Sequence, residues 1–191
     1  MKKILLAAVA GLILVACNNT AKFKAPIESL ATQWDSTTTV VANFATMLGQ
    51  EIANVQAMTS GMMVTEEAKA KLDEAGKAKL AELESGWATE SAGLNAANDE
   101  VNAFVTSWGE KTQKLNALKE GLAAGKLDKE TDATIAELTT AVTDAGTSVA
   151  AWTEKLNAAK TKLAEIAKQH GELFAASMNS TSTTSGKKKG N

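Results

Sequence analysis

The sequence has no arginine and no tyrosine, and only one proline, one cysteine and one histidine in 191 residues. Each scarcity excludes something. Without arginine, all 20 basic residues are lysines, so no planar fork exists to clamp a phosphate or carboxylate through two parallel hydrogen bonds. One cysteine cannot build a disulfide framework. One histidine and one cysteine leave little material for a structural zinc site or a Ser–His–Asp triad. Aromatic residues make up 4% of the chain, a poor supply for a β-sandwich or barrel. A formal charge of −2 argues against a nucleic-acid partner.

What is present is 45% hydrophobic residues, with Ala, Thr, Leu, Lys and Glu dominant, a composition that points to helices. Charge is unevenly spread. All 22 acidic residues fall between Pro26 and Met178, against 13 lysines, an excess of nine negative charges. Lys187, Lys188 and Lys189 then make the far end basic.

At the N-terminus, Lys2 and Lys3 precede an apolar run from Ile4 to Ala16. The run has signal-peptide length and is short for a membrane span. It ends Leu14-Val15-Ala16-Cys17, which resembles the lipobox of bacterial lipoproteins. The resemblance covers about twenty residues. It implies cleavage between Ala16 and Cys17, a diacylglycerol group on the Cys17 thiol, and an acyl chain such as palmitate on the new N-terminus. Two or three chains anchor stably where one is marginal. Asn18 stands where an Asp tends to retain Gram-negative lipoproteins in the inner membrane. By the same resemblance the expected place is therefore the outer membrane, facing the periplasm.

The expected organisation is a signal peptide over residues 1–16, an acylated polar tether over 17–25 with Pro26 opening the first helix, a helical coiled-coil body over 26–178, and a disordered lysine-rich tail over 179–191. The body carries heptads. In the first predicted helix the a positions are Ile27, Trp34, Val41, Leu48, Val55 and Met62. Gly61 and Thr65 mark its end and the start of the next helix. The second reads Leu80, Trp87, Leu94, Val101, Trp108, Leu115 and Leu122. Ser107-Trp108-Gly109-Glu110 matches a capping box there, but the a positions keep phase through it, which favours one continuous helix. A turn is expected over Gly121 to Asp128. The third helix has a positions from Ile135 to His170 and d positions from Leu138 to Leu173. The fold class is all-α: an elongated antiparallel three-helix coiled-coil bundle with a left-handed supercoil.

Folding the first hairpin about residue 64 places Trp34 opposite Leu94. Folding the second about residue 125 places Trp152 opposite residue 98, in one layer with Leu94, Ala97 and Val101. The same arithmetic leaves Trp108 beyond the first helix. Trp108, Leu115, Leu118, Leu122, Ile135 and Leu138 would then form a two-helix projection and a contact site for self-association or an envelope protein. The other possibility is that Phe23 and the tether fold over Trp108, or that the seam closes fully. A faint echo is also visible: Trp87 precedes Leu94-Asn95-Ala96 as Trp108, three heptads later, precedes Leu115-Asn116-Ala117.

Chemistry is thinly represented. His170 lacks a Glu-x-x-His partner and suits a helix C-terminus. Asp73/Glu74 and Asp99/Glu100 are sequence neighbours, which point apart on a helix. No phosphate loop or nucleophile elbow occurs. No enzyme activity, cofactor, metal or small-molecule substrate is expected. Met58, Met62 and Met63 cluster near the first turn and could line a soft apolar groove. The function expected is a lipid-anchored spacer or protein-docking scaffold. The alternatives are an apolipoprotein-like carrier of lipid or another amphiphile, and a helical pore-forming or adhesive component. The last is disfavoured because no mature segment has about eighteen uninterrupted apolar residues.

Overall fold

The computed structural model describes residues 5–184, and the side chains of residues 20–175. Among the described residues there are four helices and no strand: α1 (Leu5–Met62), α2 (Glu66–Lys69), α3 (Glu74–Ala123) and α4 (Thr131–Thr184). No helix among them is long and apolar enough to cross a membrane.

The expected tether is helical where it is described, and Pro26 lies inside α1 rather than in its first turn. A proline inside a helix removes one backbone hydrogen bond and costs about 3 kcal/mol. The compensation is an apolar stripe on both sides of it. Phe23, Ile27, Leu30 and Trp34 follow helical spacing and are all buried. α4 as described extends to Thr184, within the stretch expected as tail. Residues 185–191 lie outside the described residues.

Thr65 does cap a helix, its side chain accepting a hydrogen bond from the Ala68 N–H, but that helix is the single turn α2. The chain then turns so that Leu72 is buried. Asp73 Oδ1 accepts from the Gly76 N–H at 2.8 Å, so a second cap starts α3. The long helix therefore begins nine residues after Thr65, at Glu74. It runs unbroken through Ser107-Trp108-Gly109, as the heptad phase requires.

The α3–α4 turn falls where the sequence places it. Lys126 N–H donates to Gly121 O at 2.8 Å and Gly125 N–H to Leu122 O at 3.1 Å. Gly125 has φ +66°. This is a Schellman ending with glycine in the left-handed position. Gly121 is required for another reason: a Cβ there would lie 2.9 Å from Leu127 Cδ2 and 3.0 Å from Lys126 O. Asp128 then accepts from the Glu130 N–H and the Thr131 hydroxyl, opening α4.

The chain forms two compact units. The first joins the described residues up to Phe44 with Val101–Ala151. Its core is Phe23, Ile27, Leu30 and Trp34 of α1, Trp108, Leu115 and Leu118 of α3, and Leu138, Ala141 and Ala145 of α4. Trp34 Nε1 donates to Thr112 Oγ1, while Thr38, one turn further along α1, accepts from Trp108, one turn back along α3. These two segments therefore run in opposite directions. The second unit joins Ala45–Glu100 with the described residues from Trp152 on. Leu48, Val55, Met62, Leu80, Leu83, Trp87, Leu94, Leu156 and Leu163 are among its buried side chains. Trp87 Nε1 donates to Thr59 Oγ1 at 3.0 Å.

The first hairpin's register differs from expectation. Trp34 is stacked on Trp108, with ring centroids 3.7 Å apart and planes within 10°. That is two heptads beyond Leu94, and Trp34 and Trp152 fall in different units. A two-heptad shift leaves every a position on the same face, so periodicity alone cannot detect it. The second hairpin has a short, well-marked turn and its register holds. Trp152 bonds to Glu100, two residues from the expected partner.

The glycines give a paired test. Gly125→Ala forces an alanine into left-handed backbone and should destabilise the protein by about 1–2 kcal/mol. Gly109→Ala, in mid-helix with nothing within 4 Å of the added carbon, should stabilise it by about 0.5–1 kcal/mol. Chemical denaturation of the two variants checks both signs.

Candidate functional site

The residues expected to project as a partner site are core residues instead. Trp108 is 6% exposed, Leu138 is 0% exposed, and Leu115 and Leu118 are buried. Leu122 and Ile135 are half-buried and pack against the same cluster. The tip is no two-helix projection, because α1 begins before Pro26 and brings Phe23, Ile27, Leu30 and Trp34 against it. The cover on Trp108 is the stacked ring of Trp34, while Phe23 joins the same core three turns earlier on α1.

Trp108 is instead the centre of a reciprocal joint. Its ring lies against Trp34 on one side and 5.5 Å from the Phe104 centroid. Trp34 donates to Thr112 at 3.0 Å and Trp108 to Thr38 at 2.8 Å. Thr38 spends its own proton on Trp34 O, and Thr112 on Trp108 O, both at 2.8 Å. Each hydroxyl is thus turned so that its oxygen accepts the indole of the facing helix. The motif is Trp-x-x-x-Thr on both helices, a spacing present in the sequence as Trp34/Thr38 and Trp108/Thr112. In the second unit, Thr59 donates to Val55 O and accepts from Trp87 in the same way. A valine replaces one tryptophan.

Two clefts open beside these joints. In the first unit a groove of about 500 Å³ runs between α3 and α4, with Phe104, Trp108 and Ala141 as its apolar surface and Lys111, Glu137 and Asp144 among its charged lining. In the second unit a cleft of about 390 Å³ is bounded by Met62, Met63, Val64, Trp87 and Ala88. Met63 is 77% exposed and Met62 7%. Both methionines therefore meet the groove expected of the Met58–Met63 cluster; Met58 is exposed and is not part of its lining. Thr59 and Ser91 also line it, but both hydroxyl protons are bonded to backbone carbonyls. Lys69 and Glu84 at this cleft pair with each other.

The sequence-neighbour carboxylates take separate tasks. Asp73 caps α3, while Glu74 pairs with Lys77. Glu100 accepts from Lys155 Nζ and from Trp152 Nε1. His170 is half-buried, its ring 5.0 Å from Phe174, and its Nε2 has no hydrogen-bond partner among the described residues. No group of three His, Cys, Asp or Glu placed to hold a metal occurs among the described residues. Ala16 and Cys17 lie where no side chain is described.

The hydrogen bond and charge of Lys155 hold the Glu100 carboxyl below its ordinary value, with a smaller contribution from the Trp152 indole. A carboxylate lowered in the folded state supports the fold above its unfolded value, and that support is lost as pH falls through the lowered one. The Trp152 indole N–H resonance should therefore titrate with a midpoint below the usual carboxylate range of about 4. Glu100→Gln should remove that titration. A midpoint at or above the ordinary range would show that the Lys155 contact is not maintained in solution. Comparison with known proteins finds no family model, no curated protein and no solved structure that matches this chain.

Proposed function

We propose that this chain is a bacterial envelope lipoprotein, anchored through acylated Cys17, whose helical body is a non-enzymatic spacer or protein-docking scaffold. The observation that carries this reading is the sequence Leu14-Val15-Ala16-Cys17 closing a short apolar run behind Lys2 and Lys3. The only thiol of the chain stands at the one place where lipid attachment requires it. With Asn18 in place of a retaining Asp, the expected location is the outer membrane, facing the periplasm, in a Gram-negative source. An antiparallel three-helix coiled coil is the architecture proposed for the body. All-helical packing with every indole hydrogen-bonded supports a static scaffold, since few polar groups remain to be satisfied by opening the core.

One observation favours a second reading, a carrier of amphiphiles. The Met62–Met63–Trp87 cleft is apolar and open, and thioether side chains adapt to varied shapes. In the scaffold reading this cleft is packing at the end of a helix pair.

Expression of the full chain in a bacterial host with labelled fatty acid tests the anchor. The unaltered protein should be cleaved before Cys17 and carry label. Cys17→Ser should accumulate as unlabelled precursor, and normal processing of that variant would remove the basis of the proposal. Titrating the intact lipoprotein with a long-chain fatty acid separates the two readings of the body. The scaffold predicts unchanged Trp87 emission, whereas a saturable blue shift abolished by Met63→Glu would establish the carrier.

A further inference from the structure

The groove beside Trp108 carries an arrangement of charge that the scaffold does not use. Its α3 wall is built from Phe104, Ser107 and Lys111, and its α4 wall includes Glu137 and Asp144. Lys114 holds Glu137 through both carboxylate oxygens, at 2.6 and 2.9 Å, so Glu137 is neutralised. That contact also sets the register. Ser107 lies seven residues before Lys114 on α3, and Asp144 seven residues after Glu137 on α4. In antiparallel helices these two positions are level. Lys111 Nζ donates to Ser107 Oγ at 3.0 Å, which brings the ammonium to that same level. Asp144, exposed, has no hydrogen-bond or ion-pair partner among the described residues. A cation on one wall thus faces an unneutralised carboxylate on the other, and the two are not in contact. Phe104, Ala141 and the largely buried Trp108 line the same groove.

We infer that this groove is a binding site for a small zwitterion with an apolar side chain, of which an α-amino acid is the simplest form. The ligand's carboxylate meets Lys111, its ammonium meets Asp144, and its side chain packs on Phe104 and the rim of Trp108 that lines the groove. A simple cation is opposed by Lys111, and a simple anion by Asp144. Charge complementarity therefore selects for both signs in one molecule. A volume of about 500 Å³ is within the usual range for small-ligand sites. Direct closure of Lys111 onto Asp144 is the competing use of the same two charges. This inference is independent of Cys17 acylation.

The four tryptophans give at most four indole N–H resonances, and Trp108 reports directly on the groove. The full-length chain in detergent micelles is titrated at neutral pH with phenylalanine, with phenethylamine and with 3-phenylpropionate. Phenylalanine should shift the Trp108 resonance saturably. The two singly charged analogues should bind at least about tenfold more weakly, each lacking one charge-assisted contact. Asp144→Asn should reduce phenylalanine affinity to the level of 3-phenylpropionate, and Lys111→Met to that of phenethylamine. Unchanged resonances of the other indoles confirm that both variants fold. Equal affinity for the three compounds, insensitivity to either substitution, or no shift of Trp108 with phenylalanine would overturn the inference. So would a Lys111–Asp144 ion pair detected in the unliganded protein.

Discussion

The contact between Trp34 and Trp108 selects one helix register among several that the heptads allow. Sliding α1 along α3 by one or two heptads would leave every a position facing inward. It would separate the stacked rings and strand two indole donors. A buried donor without a partner costs about 1–3 kcal/mol, and a well-placed aromatic pair is worth about 0.5–1.5 kcal/mol beyond its area. Those few kcal/mol are comparable with a large share of the stability of an ordinary domain. The second unit carries its own version. Thr59 follows Thr38 by three heptads, and Trp87 precedes Trp108 by three. The faint echo between Trp87 and Trp108 in the sequence thus has a physical counterpart: the same indole-to-threonine joint is made twice.

Which face of each helix is buried was legible from the sequence. All six a positions of the first helix, from Ile27 to Met62, are buried, as are those from Leu80 to Leu115 in α3. Period is a local property, fixed by which side chains repel water. The α3–α4 turn was legible for a similar reason, since Gly121, Gly125 and Asp128 each have a local backbone task. The first hairpin's register was not legible. It depends on where α3 starts, and that is decided by two competing caps, Thr65 and Asp73, of similar strength. Local cost alone places Pro26 at a helix start. The stripe from Phe23 to Trp34 outweighs it, a gain realised only in tertiary packing. The contact site expected at Trp108 failed with the register from which it was derived, though a groove does open at that residue.

The lysines hold together little of this. Most of the ion pairs, Lys114–Glu137 and Lys155–Glu100 among them, join exposed side chains, and such pairs contribute about 0–1 kcal/mol. Stability rests on the apolar seam and the indole joints. The charged surface is left free for solubility and recognition. In the proposed envelope setting this division suits a protein tethered by lipid at Cys17. Little of its fold depends on unscreened charge.

A double-mutant cycle between Trp34→Leu and Trp108→Leu, followed by denaturant unfolding of the full chain, measures the central joint directly. The stacked, cross-bonded arrangement predicts a coupling energy of at least about 0.5–1.5 kcal/mol between the two positions. In the register where Trp34 faces Leu94 the two indoles would lie two heptads apart and share no partner. Effects that add to within about 0.3–0.5 kcal/mol would contradict the joint and the register it selects.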